Sequence, residues 1–285
     1  MSSQHGFVVI DKPSGITSHD VVARLRKKLG TKQIGHAGTL DPMATGVLVL
    51  GVNNATKFLD YIVQGRKRYT GNIRLGQSTT TDDREGEVIS SANPLAITDD
   101  EIRRELGKFV GTIMQAPSSV SAIKVDGRRA YDRVRSGEKV ELPEREVRIY
   151  SLEIIEMTRD EFIDITIDVS CSAGTYIRAI ARDLGVRLGV GGHLTSLRRT
   201  EVAPFTLNEC VNLENPSVIP LVDALKGIMP CRIVTTEEIK ELRFGRTISR
   251  SEFSEPGIAL ADNGEVIAII KNVDDKSRPT SVFNS

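Results

Sequence analysis

Ile163-Asp164-Ile165-Thr166-Ile167-Asp168-Val169-Ser170-Cys171 alternates apolar and polar side chains without a break. Successive side chains of an extended segment point to opposite faces, so this stretch predicts a β-strand with one face in a core and the other wet. A helix is expected next, from about Thr175 to Leu188, because Ile177, Ile180, Ala181, Leu184 and Leu188 recur at helical spacing. Upstream, Tyr69, Gly71, Ile73 and Leu75 repeat the two-residue alternation, while Phe7 to Ile10 and Val47 to Val52 read as short buried strands. A first helix opens at Thr17 or Ser18, carries Val21, Val22, Leu25 and Leu29 inward, and ends at Gly30. A short helix is expected from Thr56 to Val63, and Thr98-Asp99-Asp100-Glu101 forms a capping box ahead of Ile102, Leu106 and Phe109. Strands and helices do not alternate regularly, which predicts an α+β fold. Its large sheet is mixed or antiparallel and flanked by helices, not doubly wound.

Pro216, Pro220 and Pro230 punctuate the chain after these elements. Beyond them come a capping box at Thr235 to Glu238 and two apolar runs joined by Asp262-Asn263-Gly264, a strong hairpin signal. The expected organisation is a large domain over residues 1–230 and a small β-rich domain over 231–285, with the last ten residues loose. A length of 285 residues with 39% hydrophobic side chains suits one large core plus such an appendage. No apolar run approaches the roughly 20 residues that cross a bilayer. MSSQHGFVVI lacks the pattern of a signal peptide. With three widely spaced cysteines, a reducing, cytoplasmic compartment is expected.

Basic and acidic residues balance at 38 each, so a nucleic-acid role would have to rest on local patches. Arg24, Arg26, Lys27, Lys28 and Lys32 have no acid among them, and Arg178, Arg182, Arg187, Arg198 and Arg199 are accompanied only by Asp183. Acids gather at Asp82 to Glu87 and Asp99 to Glu105. The first reading of such runs is a solvated helix face, so charge permits RNA binding without establishing it.

Three segments are costly to explain as packing alone. Gly35-His36-Ala37-Gly38-Thr39-Leu40-Asp41-Pro42-Met43-Ala44-Thr45-Gly46 has glycines that allow a tight bend, and Pro42 biases Asp41 away from helix. Asp41 is either a turn former or a reactive carboxylate. Ser172 to Arg178 puts Arg178 in the first turn of a helix, against the helix dipole, where it needs a carboxylate partner or a function. Lys67-Arg68-Tyr69 begins a strand in which Tyr69, on these residues, reads first as a core tyrosine and only second as a site residue. The four histidines and three cysteines show no metal-ligand spacing, and there is no Walker loop, dinucleotide fingerprint or Gly-x-Ser-x-Gly elbow. A hydrolase using Asp41 and His36 stays open on these residues.

The segment Gly35 to Gly46 resembles the GHTGTLDPLATG motif of the TruB family, bacterial tRNA pseudouridine synthases that modify the T-arm. The resemblance extends in order through most of the chain. Asp11 to Ser18 is similar to the family's KP motif, Lys67 to Gly76 to its tyrosine motif, and Ser172 to Arg178 with Asp183-Leu184-Gly185 to its arginine motif. Leu197 to Thr200 with Pro204-Phe205 is similar to the segment that closes the pocket. Ala37 and Met43 depart from the usual residues.

The resemblance implies an isomerase that turns the T-loop uridine of tRNA into pseudouridine, with Asp41, Tyr69 and Arg178 as catalytic residues and neither metal nor organic cofactor. Asp41 would attack C6 of the base or C1′ of the sugar, Arg178 would pair with it, and Tyr69 would lie against the uracil. A hydroxyl at Tyr69 is also a candidate for helping remove the C5 proton. The resemblance also implies that Ile177 and Leu197 wall the pocket, that His36 props the stack vacated by a flipped base, and that Lys12 braces the active-site loop. Residues from about 116 to 148 resemble an insert that grips the T-loop, where Lys124, Arg128 and Arg129 would meet phosphates. The C-terminal part would be a PUA-like RNA-binding domain. The expected partner is the T-arm of tRNA, with no membrane and no obligate oligomer, so a monomer. A tRNA chaperone working through the same surfaces is the alternative that does not need Asp41.

Overall fold

The computed structural model describes residues 5–118, 124–125, 128–129, 143–254 and 256–283, with backbone only at 124–125 and 128–129. Its centre is a mixed sheet. From one edge to the other the strands are Ile219–Pro220, Gly6–Lys12, Thr45–Val52, Gly192–Val202, Lys67–Leu75, Ile163–Cys171, Arg145–Arg159 and Gly111–Gln115. Neighbours along this path are antiparallel except Thr45–Val52 with Gly192–Val202, which run parallel through Arg198↔Thr45 and Arg199↔Gly46. The Ile163–Cys171 strand lies inside the sheet, with Ile163, Ile165, Ile167, Val169 and Cys171 fully buried. Its polar face is paired across strands: Arg68 Nε to Asp168 at 2.6 Å and Arg74 Nη2 to Asp164 at 2.7 Å.

Helices cover the buried face. Ser18–Leu29 is held by a capping box between Thr17 and Asp20, ends at Gly30 in a left-handed conformation, and buries Val21, Val22 and Leu25. Asp99–Gly107 carries the anticipated capping box of Thr98 and Glu101 and buries Ile102 and Leu106. Ile177–Arg187 buries Ile180, Ala181 and Leu184 against the same core. The short helix expected at Thr56 to Val63 instead begins as a 3₁₀ turn, Asn53–Phe58, and continues as an α-helix, Leu59–Gln64. The strand Arg145–Arg159 was not anticipated. It absorbs the last residues of the expected insert, because Val147 and Ile149 pack inward on the sheet.

The C-terminal part forms a five-stranded sheet in the order Cys231–Ile233, Gly257–Leu260, Val266–Val273, Lys276–Val282, Ile248–Ser249. The anticipated hairpin is there, with Ile258↔Ile269 and Ala259↔Ala268 in register. Residues 276–283, within the stretch expected to be loose, are ordered instead. Lys276–Val282 is a paired strand, and Phe283 stacks on Phe58 with ring centroids 5.2 Å apart. Only Val282 and Phe283 are large and apolar in that stretch, so its order comes from backbone pairing and one aromatic anchor. Through Phe283, Ile258, Leu260, Val266 and Ile269 this sheet shares a hydrophobic cluster with Phe7, Val9 and Phe58 of the larger part.

Candidate active site

Asp41 sits in the loop between the short strand Ile34–His36 and Thr45–Val52, and the glycines there are sterically required. Gly46 has φ +99°, and a Cβ on it would lie 2.1 Å from the Arg199 carbonyl, because the two residues face each other in the parallel register. The segment after the first strand braces the loop. Lys12 Nζ donates to the carbonyls of Ile16 (2.7 Å), Pro13 (2.9 Å) and Pro42 (3.2 Å). Gly15 N–H donates to the Pro42 carbonyl at 2.8 Å, Ser14 Oγ to that of Met43 at 3.2 Å, and Leu40 N–H to Ser18 Oγ at 2.9 Å. Burial pulls the Lys12 ammonium down to about 8, against the opposing pull of Asp41 and Glu85.

Arg178 is the second residue of Ile177–Arg187. The preceding turn is fixed by Gln115, which accepts from Tyr176 N–H at 2.8 Å and donates to the Tyr176 carbonyl at 3.0 Å. The guanidinium meets Asp41 side-on, Nε to Oδ2 at 3.1 Å and Nη2 to Oδ1 at 3.3 Å. Its Nη1 pairs with Asp83 Oδ2 at 3.1 Å and donates to the Thr81 carbonyl at 2.9 Å. The Arg178 and Asp83 side chains are 6% and 4% exposed, whereas Asp41 keeps 35% of its surface. The nucleophile candidate therefore has a buried counterion behind it and an open face in front. Burial pushes the Asp41 carboxyl above the usual carboxylate range; Arg178 opposes that and Asp83 adds to it.

Asp41, Tyr69, Ile177, Arg178 and Leu197 line one cavity of about 380 Å³, within the usual range for small-molecule sites. Tyr69 is buried, and burial raises its hydroxyl pKa, so it is a phenol at neutral pH and a poor proton acceptor unless another group takes its proton. His36 is not on the cavity wall. It stands edge-on to His19, centroids 5.5 Å apart, with a buried Nδ1 that has no hydrogen-bond partner among the described residues. Burial lowers it to about 4, so it is neutral at physiological pH.

The backbone pairs Lys124 with Arg129 and Val125 with Arg128 as a small ribbon. The side chains of Lys124, Arg128 and Arg129, and the positions Val120, Ser121, Ala122, Gly127, Tyr131, Arg133, Arg135 and Gly137, lie outside the described residues. Among the described residues, no group of three or more histidines, cysteines or acids is placed to hold a metal ion.

Sequence reasoning missed Asp83, seen only as part of an acidic collection. The signal was the demand of Arg178 for a carboxylate, and the fold answers it twice. Arg182, one turn further on, pairs with Asp82 at 3.2 Å and with Asp183 at 2.8 Å, and donates to the Ala116 carbonyl at 2.9 Å. Arg178 and Arg182 are therefore not a solvated helix face. Lys67, Arg145, Tyr176 and Arg199, which also line the cavity, were not singled out as site residues either.

Residues 26–177 match the family described as TruB family pseudouridylate synthase (N terminal domain), and residues 178–217 match the tRNA pseudouridylate synthase B C-terminal domain. The chain is 52% identical over 275 residues to the tRNA pseudouridine synthase B of Corynebacterium diphtheriae, covering 93% of this chain and 92% of that one. It is 48% identical to the protein of that name from Arthrobacter sp. (strain FB24), covering 98% and 96%. Among solved structures, a Cbf5-Nop10-Gar1 complex contains a chain that superposes with a TM-score of 0.72 at 24% identity, over 99% of this chain and 84% of that one. An H/ACA RNP bound to a substrate RNA superposes equally well, at 22% identity over 98% and 85%. Such distant likeness establishes the pseudouridine synthase fold. With the profile match and the close relatives, it follows that this chain belongs to the TruB family of pseudouridylate synthases.

Proposed function

We propose that the protein isomerises the T-loop uridine of tRNA to pseudouridine, with Asp41 as nucleophile. The observation that carries this reading is the ion pair of Asp41 with a buried Arg178 on the wall of a cavity whose other walls are Tyr69, Ile177 and Leu197. A paired carboxylate with one open face needs no base to activate it and is aimed by two hydrogen bonds.

The flipped uracil lies between the Tyr69 ring and the apolar side chains of Ile177 and Leu197. Asp41 then forms a bond from one carboxylate oxygen, either to C6 across the C5=C6 double bond or to C1′ with departure of N1. The glycosidic N1–C1′ bond breaks, the base turns, C5 bonds to C1′, the bond to Asp41 breaks to return its carboxylate, the C5 proton is lost to solvent, and N1 takes up a proton in its place. Nothing is gained or lost overall, so RNA mass is unchanged. Arg178 stays charged throughout and stabilises the carboxylate each time it re-forms.

The substrate is the T-arm of a tRNA, extracted one nucleotide at a time, and the protein acts in the cytoplasm as a monomer. The insert at about 116–148, with Lys124, Arg128 and Arg129, grips T-loop phosphates, and a PUA-like domain from about residue 231 holds RNA further along. The decisive test is to map pseudouridine in unmodified tRNA after incubation with wild type and Asp41→Asn, with binding measured alongside. One new pseudouridine in the T-loop, lost in Asp41→Asn while binding persists, supports the proposal. Bound and refolded tRNA with no pseudouridine from wild type would leave only a chaperone.

A further inference from the structure

The largest fully buried side chain among the described residues is a charged one, Arg199, at 1% exposure. A buried cation is costly unless it is paired, and here the hydrogen bonds go to main-chain carbonyls instead of a carboxylate. Nε donates to the Val47 carbonyl at 2.7 Å, Nη2 to that of Gly38 at 3.0 Å, and Nη1 to that of Thr39 at 3.5 Å. Its neighbour Arg198 faces the other way and pairs with Asp11 at 2.7 Å on the exposed side. Arg199 stands opposite Gly46 on one side of its strand and opposite Tyr69 on the other. Gly38 is held at φ +97°, a left-handed conformation that favours glycine, where its carbonyl meets Nη2.

We infer that Arg199 is a positioning residue for the reaction, clamping the approach to Asp41 from inside the sheet. Lys12, Ser14 and Gly15 hold the carbonyls of Pro42 and Met43, just after the nucleophile. Arg199 holds those of Gly38 and Thr39, just before it. The loop is thereby fixed at both ends, and the carboxylate needs only Arg178 to set its last torsion. The bare charge has a second consequence. Asp41 is faced by Arg178, Asp83, Lys12 and Arg199, and the Arg199 charge favours the ionised carboxylate. The same charge disfavours protonation of Lys12, Lys67 and His36. This inference rests on the reading of Asp41 as the nucleophile.

The test uses the full chain with Arg199→Met and Arg199→Lys. Three readouts apply: the Asp41 carboxyl titration by carbon-13 NMR, amide exchange across residues 38–41, and single-turnover isomerisation of tRNA. In Arg199→Met the Asp41 titration moves to higher pH. Exchange in the loop accelerates, and the rate falls about 100-fold with tRNA affinity unchanged. Arg199→Lys keeps the titration near wild type but recovers only part of the rate, since one ammonium cannot reach three carbonyls in that geometry. A folded Arg199→Met with unaltered titration, exchange and rate overturns the inference. If Arg199→Met does not fold, Arg199→Lys with wild-type exchange and rate does the same. A wild type without activity would sink the proposed function, while the titration and exchange would still decide whether Arg199 acts on Asp41.

Discussion

Replacing Asp83 by asparagine tests the arginine that two aspartates share. Asp83 Oδ2 pairs with Arg178 at 3.1 Å, while Oδ1 accepts from Thr81 Oγ at 2.6 Å and from Glu85 N–H at 3.0 Å. Asparagine retains an oxygen for the latter two bonds but puts an amide nitrogen, a donor, where Oδ2 accepts from Arg178, so charge and acceptor are lost together. Both partners of the ion pair are almost fully buried, so solvent screening does not weaken their coupling. Truncating one member of such a pair costs about 3–5 kcal/mol. Arg178 keeps Asp41 and the Thr81 carbonyl here, so the expected loss is smaller, about 1–3 kcal/mol. For a chain of this size that lowers Tm by roughly 3 °C at the midpoint of the range.

The catalytic effect has a sign as well as a size. Asp83 raises the Asp41 pKa, so its removal lets Asp41 ionise at lower pH, and the acid limb of the rate profile moves down. The neutral-pH rate should still drop by about 10–100-fold, because Arg178 is less firmly held. Urea denaturation and single-turnover isomerisation from pH 4 to 8 measure both. An Asp83→Asn protein as stable as wild type, with an unshifted acid limb, refutes the shared-arginine account.

Other consequences follow from the same geometry. Arg178→Lys loses the side-on pairing with Asp41, so the rate should fall about 10²–10³-fold and the acid limb should move up, opposite to Asp83→Asn; a pH–rate series compares them. Because the folded-state pKa of Asp41 is raised, its contribution to stability is lost as pH rises through that value. Asp41→Asn should therefore melt at or above wild type at neutral pH, the difference vanishing below about pH 4, and scanning calorimetry at the two pH values checks it. Phe283→Ala removes the stack on Phe58 and should cost about 3 kcal/mol in urea denaturation, whereas a loose chain end would lose nothing.

Period and punctuation made the sheet legible. The strict alternation from Ile163 to Cys171, the capping boxes at Thr98 and Thr235, and the Asp262-Asn263-Gly264 turn are local signals that appear where expected, and of the two caps offered at Thr17 and Ser18 the helix uses Thr17. Arg145–Arg159 was hidden because two bulges break its alternation and much of its outer edge is exposed. In the site, Asp41 and Arg178 were readable because each residue type was out of place locally. Asp83 and Arg199 were not. Their significance lies in which partner the fold brings within about 3 Å, and sequence reads an acid in an acidic run or the second arginine of a pair as surface charge. Lys12 stood out only through the resemblance, and its contact with the Pro42 carbonyl spans thirty residues of sequence.

The most direct test of the central claim is tritium release from unmodified tRNA labelled at uridine C5, with wild type and Asp41→Ala compared. Release by wild type alone, at one T-loop uridine and without loss of RNA mass, is the predicted result. Release by Asp41→Ala at the wild-type rate, or none from a folded, tRNA-bound wild type, would contradict it.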